Sequence, residues 1–204
     1  MARSAEPATT ANERTSKAFE QFVISIRERE SLSLLDLGGA NQANITFITE
    51  LGHRLYADDI LRSVDTEFGP AEGMQERQSD PERAQEFLSH NLDFPEDSFD
   101  GVLLWDTLQF LAQPLLEGTV DRLYRILRPD ALVFLMFTGN EKAKTVPTYY
   151  YRISGPRNLT LTPRGERAPA QAFNNRSVEK IFQRWGSIKF FLARDNVREL
   201  IIRR

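Results

Sequence analysis

Apolar and polar positions along this chain follow two periods. Between Glu13 and Glu30, Ala18, Phe19, Phe22, Val23 and Ile26 recur at the spacing of one helix face and predict an amphipathic helix. Leu32 to Asp36 is a short apolar run that stops on an acid and then Gly38-Gly39, as a buried strand entering a tight turn would. Asn44 to Leu51 predicts a helix closed by Gly52, and His53 to Ala57 a second strand ahead of Asp58-Asp59. Arg62 to Arg83 is polar and broken by Gly69-Pro70, Gly73 and Asp80-Pro81, which suggests a helix with loops; Glu86 to Ser89 is a third strand candidate. Phe99 to Trp105 is apolar on both faces, the mark of a strand covered on both sides. Leu115 to Leu127 predicts a helix ended by Pro129, and Ala131 to Phe137 a fifth strand.

This alternation predicts an α/β fold: a doubly wound, Rossmann-like sheet, mainly parallel, with helices on both faces. The last third differs. Tyr149 to Ile153 and Asn158 to Thr162 flank Ser154-Gly155-Pro156-Arg157 and predict a β-hairpin. Ser177 to Trp185 reads as a helix with Ser177 as N-cap and Gly186 as its stop. Ile188 to Leu192 and Val197 to Ile202 predict an antiparallel closing pair that turns at Arg194-Asp195-Asn196. The expected organisation is a flexible tail over residues 1–12 and one domain over 13–204, with 140–173 as a hairpin insertion capping the substrate side.

Composition narrows the classes. The chain has 204 residues, 41% hydrophobic and 27% charged, with a net charge of −3, as expected for one globular domain. There is no basic excess to recruit nucleic acid, and Arg152, Arg157, Arg164 and Arg167 read as a solvated face. The absence of cysteine removes disulfides, thiolate metal sites and cysteine nucleophiles, and no metal site is expected. No apolar run approaches the roughly 20 residues of a membrane span. Met1 to Asn12 lacks the apolar core of a signal peptide. A cytoplasmic location is the expectation.

The candidate chemistry lies at strand ends. An acid, a turn through glycines and a helix start leave backbone N–H groups open to a ligand that approaches closely. Taken alone, Gly38-Gly39 could be only a tight turn, and Asp58-Asp59 only helix N-caps.

Five ordered segments together resemble the class I S-adenosylmethionine-dependent methyltransferases, and in particular the type 11 group. Leu34-Leu35-Asp36-Leu37-Gly38-Gly39-Ala40-Asn41-Gln42 resembles that family's first motif, Asp-x-Gly-x-Gly-x-Gly. Gly52 to Ile60 is similar to its second strand and terminal acid. Leu92-Asp93-Phe94-Pro95-Glu96-Asp97-Ser98-Phe99-Asp100 resembles the group's Leu-Pro-Phe-Pro-Asp-x-Ser-Phe-Asp loop, and Leu123 to Asp130 the turn before strand five. The closing strand pair is the fifth segment.

The resemblance implies S-adenosylmethionine as cofactor, with Asp36, Gly38, Gly39 and Ala40 around its amino-acid end. It places Asp59, or Asp58 after a one-residue slip, on the ribose hydroxyls. Asn91 would stand in for the acid that faces the adenine amino group, and Asp106 would lie at the carboxyl end of strand four. Departures are Ala40 and Gln42 in place of glycines, Ser89-His90-Asn91 in place of a Gly-Asp pair, and Gln109-Phe110 where relatives often have Glu-His.

No dedicated base stands out; Asp106 is the best-placed acid, and His53 reads as structural. Tyr149 and Tyr151 are either part of a substrate wall or strand packing. The function implied is methyl transfer to a small-molecule acceptor. The alternative is a non-catalytic binding or interaction protein on the same fold, because fold alone does not fix function.

Overall fold

The computed structural model describes residues 11–192 and 196–204. Most of the expected tail, and Arg194 and Asp195 of the expected closing turn, lie outside the described residues.

The chain enters through strand β1 (Asn12–Thr15) and helix α1 (Lys17–Arg27), so the helix predicted from Glu13 begins four residues later. Ser16 caps it by accepting a hydrogen bond from the Phe19 amide, and the residues before Ser16 pair with the later hairpin. Next come β2 (Ser33–Asp36), α2 (Gln42–Glu50), β3 (Arg54–Ala57), α3 (Ile60–Phe68) and α4 (Met74–Gln78). Helix α5 (Pro81–His90) takes up the segment expected to hold a third strand. Asp80 caps it, Pro81 opens its first turn, and Ala84 and Phe87 bury one face at helical spacing, so local signals favour the helix.

Strand β4 (Phe99–Trp105) is buried throughout, and α6 (Gln113–Ile126) leads into β5 (Leu127–Thr138). Pro129 lies just past the end of α6 as expected, but already within β5, and the ladder to β4 slips there, with Phe99 opposite Leu127 and Gly101 opposite Leu132. The hairpin β6 (Val146–Gly155) and β7 (Asn158–Arg167) is longer than expected. Helix α7 (Asn175–Ile181) is capped by Asn174, with Ser177 as the reciprocal partner of a capping box rather than the cap itself. Strands β8 (Ser187–Leu192) and β9 (Val197–Arg203) close the chain.

Six strands form one sheet in the order β3-β2-β4-β5-β9-β8, parallel from β3 to β5 and antiparallel across β9 and β8. Alternate residues feed opposite cores. Leu34, Leu103 and Phe134 pack with α1 and the hairpin, whereas Leu35, Val102 and Val133 pack with α3, α5 and α6.

The hairpin and β1 make a second, three-stranded sheet in the order β1-β7-β6, laid over the first face. Two buried polar residues fasten it. Glu199 of β9 accepts from Arg14 at 2.7 Å and from the Ser16 hydroxyl at 2.9 Å. Asn44 of α2 accepts from the Ile153 amide at 2.7 Å and donates to the Tyr151 carbonyl at 3.0 Å and to Asp36 at 2.9 Å.

Removing the carboxamide would orphan all three of its partners, each a buried polar group. Asn44→Ala should therefore cost about 2–4 kcal/mol in urea unfolding. A loss comparable to that of the more exposed cap variant Asn41→Ala, about 1 kcal/mol, would show that the hairpin is held by other contacts.

Candidate functional site

The site is built where β2 turns into α2. Asp36 is fully buried, and its carboxylate accepts from the Gly38 amide at 2.9 Å, from Asn44 at 2.9 Å and from the Trp105 indole N–H at 2.6 Å. Burial pushes this carboxyl above its ordinary value of 3.8, and the Trp105, Asn44 and Gly38 donors offset part of the rise. Asp36 therefore supports the loop from behind and does not line the cleft in front of it.

Trp105 ends β4 at φ +51°, a left-handed conformation that a bulky residue adopts only when its surroundings hold it there. Its indole lies against Gly38, where an added Cβ would come within 2.6 Å of the ring. Gly39 has φ +96° and faces Asp59, so both glycines are required, the first for close approach and the second for backbone conformation.

In front of this loop is a cleft of about 490 Å³ lined by residues 38–41, Asp59, Arg62, Tyr150, Tyr151 and Arg164. Asp59, not Asp58, presents its side chain there. It caps α3 by accepting from the Arg62 amide at 3.0 Å and forms an ion pair with Arg164 of β7 at 2.8 Å. Burial disfavours the charge on Arg164, but the hydrogen bond and charge of Asp59 outweigh that and hold the guanidinium more firmly protonated than usual. Arg167 makes two bonds to Asp65, at 2.5 and 2.7 Å. Two of the four arginines expected on a solvated face thus clamp the hairpin to α3.

Ala40 lines the cleft, and Gln42 turns its side chain to Thr46 at 3.3 Å, away from it. Asn91 is elsewhere: its side chain donates to the Phe87 carbonyl at 2.9 Å, and it borders a separate shallow depression with Glu67. With α5 in place of a strand, the position expected to face an adenine is not brought to the cleft.

Asp106 lines a second cavity of about 280 Å³ between β5 and the hairpin, together with Gln109, Tyr149 and Tyr151. Tyr151 is common to both spaces. Its ring stacks on Trp105 at 4.7 Å with a 2° interplanar angle, and its hydroxyl hydrogen-bonds the Asp106 carboxyl. Burial raises Asp106 from 3.8 to about 7 against the opposing pull of the Tyr151 hydrogen bond and the charges of Arg167 and Arg164. Burial also raises the Tyr151 phenol well above 10, and the neighbouring carboxylate adds to that.

Sequence reasoning missed Asn44 and the contacts of Arg164 and Gln109. Charge patterning marked Arg164 only as part of a basic run, Gln109 stood only as a departure from Glu-His, and nothing local marks Asn44. Among the described residues no group of three or more His, Cys, Asp or Glu could hold a metal ion, and no helix is long and apolar enough to cross a membrane.

Gly38→Ala forces a methyl group into the Trp105 ring and should destabilise the fold by about 1–3 kcal/mol, with a change in Trp fluorescence. An unchanged melting point would mean the loop is free to withdraw. A second expectation concerns pH. Because the folded pKa of Asp106 lies above its ordinary value, the stability it contributes is complete below pH 3.8 and is lost as pH rises through about 7. Asp106→Asn, neutral throughout, should flatten that decline in urea titrations between those two pH values.

Comparison with known proteins follows the same outline. Residues 35–135, from β2 to β5, match the methyltransferase domain family. No curated protein matches the chain by sequence. Among solved structures, a protein of Pyrococcus horikoshii OT3 is 14% identical, with 92% of this chain and 88% of that one covered at a TM-score of 0.53. A type 11 methyltransferase candidate from Sulfolobus solfataricus is 15% identical over 94% of each chain, with a TM-score of 0.52. A SAM-dependent methyltransferase of Methanosarcina mazei is 12% identical over 89% of this chain and 96% of that one, with a TM-score of 0.50. At such identities the likeness is one of fold. The matched segment carries the glycine loop, Asp59 and Asp106, and the chain resembles the class I S-adenosylmethionine-dependent methyltransferases.

Proposed function

We propose that this protein is an S-adenosylmethionine-dependent methyltransferase acting on a small molecule. The observation that carries the reading is the cleft along residues 38–41 with the Asp59 carboxylate on its wall. Its volume falls in the range of small-ligand sites. The residues fit the amino-acid and ribose half of the cofactor: Gly38 and Gly39 bring backbone close to the ligand, and Asp59 can accept from both ribose hydroxyls. When bound, the cofactor supplies a methyl group on a sulfonium, an activated leaving group.

The chain's own part is to bind, orient and exclude water. Asp36 and Trp105 hold the glycine loop rigid from behind, so its amides are placed before a ligand arrives. The ribose hydroxyls and Arg164 compete for one carboxylate, so Arg164 must release Asp59 or share it. Arg167 on Asp65 and the Asn44 bonds keep the hairpin docked meanwhile, as a cap over the cleft.

A second reading, an interaction protein on a methyltransferase fold, is favoured by the turning away of Asn91 and by the Arg164–Asp59 ion pair itself. Titration calorimetry with S-adenosylhomocysteine separates the two. Micromolar affinity is expected, since working ligand constants fall between about 1 μM and 1 mM. Asp59→Asn, which can still cap α3, should weaken it about tenfold, a loss of about 1.4 kcal/mol. Arg164→Met should tighten it about fivefold, as a part-buried ion pair worth about 1 kcal/mol no longer competes. No binding to folded wild type or to folded Arg164→Met at millimolar ligand would overturn the methyl-transfer reading in favour of the second.

A further inference from the structure

The second cavity has a chemistry of its own. Its walls are largely apolar, from Met136 and Phe137 of β5 and Val146 and Leu161 of the hairpin, and the Tyr149 and Tyr151 rings add aromatic surface. That composition suits a flat, uncharged ring.

Polar groups are few. Arg14 borders the cavity, but its guanidinium is engaged by Glu199 through two nitrogens, at 3.1 and 2.7 Å. Gln109, only 3% exposed, uses its Oε1 to accept from the Thr138 amide at 3.0 Å, so it has an NH2 donor to offer. Asp106, 7% exposed, accepts from Tyr151 and from its own backbone N–H, and its two oxygens keep further lone pairs to offer. Asp106 and Gln109 therefore present an acceptor and a donor in a largely apolar setting, beside the Thr138, Tyr149 and Tyr151 hydroxyls.

The complementary ligand carries an N–H next to an accepting nitrogen or carbonyl on a planar ring. A buried acceptor left without a donor costs affinity, so plain hydrocarbons bind less well. A carboxylate ligand would meet a second carboxyl in a desolvated space and is disfavoured further.

We propose that this cavity is the acceptor site, and that it takes a small planar nitrogen heterocycle whose N–H is held by Asp106 and whose accepting atom is held by Gln109. The assignment rests on the methyltransferase reading for the word acceptor, but its recognition chemistry does not. Tyr151 lines both this cavity and the glycine-loop cleft, so a ring bound here lies next to the space assigned to the cofactor. In its ionised form the same carboxylate can hold the proton that such a nitrogen gives up. Burial resists its ionisation, and the Tyr151 hydroxyl, its own backbone N–H and the Arg167 and Arg164 charges favour it.

The test uses the intact protein and 7-azaindole, a neutral ring with an N–H beside an accepting nitrogen, against indole and benzoate, read by ligand-observed NMR titration. The expected order is 7-azaindole tighter than indole by about tenfold or more, the value of one well-made buried polar contact, and benzoate weakest. Asp106→Leu and Gln109→Leu should each reduce the preference for 7-azaindole over indole. Benzoate binding as well as 7-azaindole, or equal wild-type affinity for 7-azaindole and indole, would overturn the assignment, and neither result depends on a variant that folds. S-adenosylhomocysteine calorimetry on the same sample keeps the two questions apart. Loss of the 7-azaindole pattern with S-adenosylhomocysteine still bound sinks this inference alone. The 7-azaindole pattern with no S-adenosylhomocysteine binding to wild type or to folded Arg164→Met supports the recognition chemistry and sinks the methyl-transfer reading.

Discussion

A single buried carboxylate organises the functional end of this molecule. Asp36 receives the Gly38 amide, the Asn44 carboxamide and the Trp105 indole, and so joins the glycine loop, helix α2 and the end of β4 at one point. A carboxylate out of water is tolerated only when its lone pairs are filled, and here three donors fill them. The consequence spreads outward. Trp105 is held in a left-handed backbone conformation, its ring supports Gly38, and Tyr151 stacks on its other side. Asn44 carries the same network to the backbone of β6. The hairpin is thus tied to the glycine loop through shared partners.

That coupling explains the division of the ligand-facing side into two spaces. Tyr151, stacked on Trp105 and bonded to Asp106, borders both the cleft and the inner cavity. The two acids on either side have opposite settings. Asp59 is partly exposed and paired with Arg164, whereas Asp106 is buried and pushed up to about 7. Environment, not residue type, separates the two carboxyls.

Departures from the family pattern fall on both sides of the cleft. The glycine loop keeps Gly38, with Ala40 and Gln42 at the positions of the pattern's other two glycines, and Asp59 remains at the end of β3. On the other side a strand has been replaced by α5, the sheet ends at β3, and Asn91 satisfies itself within its own helix end. The replacement is locally consistent, since Asp80, Pro81, Ala84 and Phe87 all favour a helix. An apolar run as short as Glu86 to Ser89 could not distinguish the two, because period and length give no decision over four residues.

The chain's own pattern was enough for the strand ends, the glycine turn, the hairpin and the doubly wound order, because each depends on neighbours within a few residues: the run of apolar residues in β4, the glycines after Asp36, the turn at Gly155. The helix start at Ser16 and the capping role of Asn174 were missed by a few residues, since several polar side chains nearby could each serve as a cap. What only the tertiary structure decided is which distant side chains meet. Arg164 reaches Asp59 across 105 positions, Asn44 reaches Ile153 across 109, and Trp105 reaches Asp36 across 69. Such pairs leave no periodic trace, because their partners are chosen by the packing of the hairpin on the sheet, and it is these contacts that separate the cleft from the inner cavity.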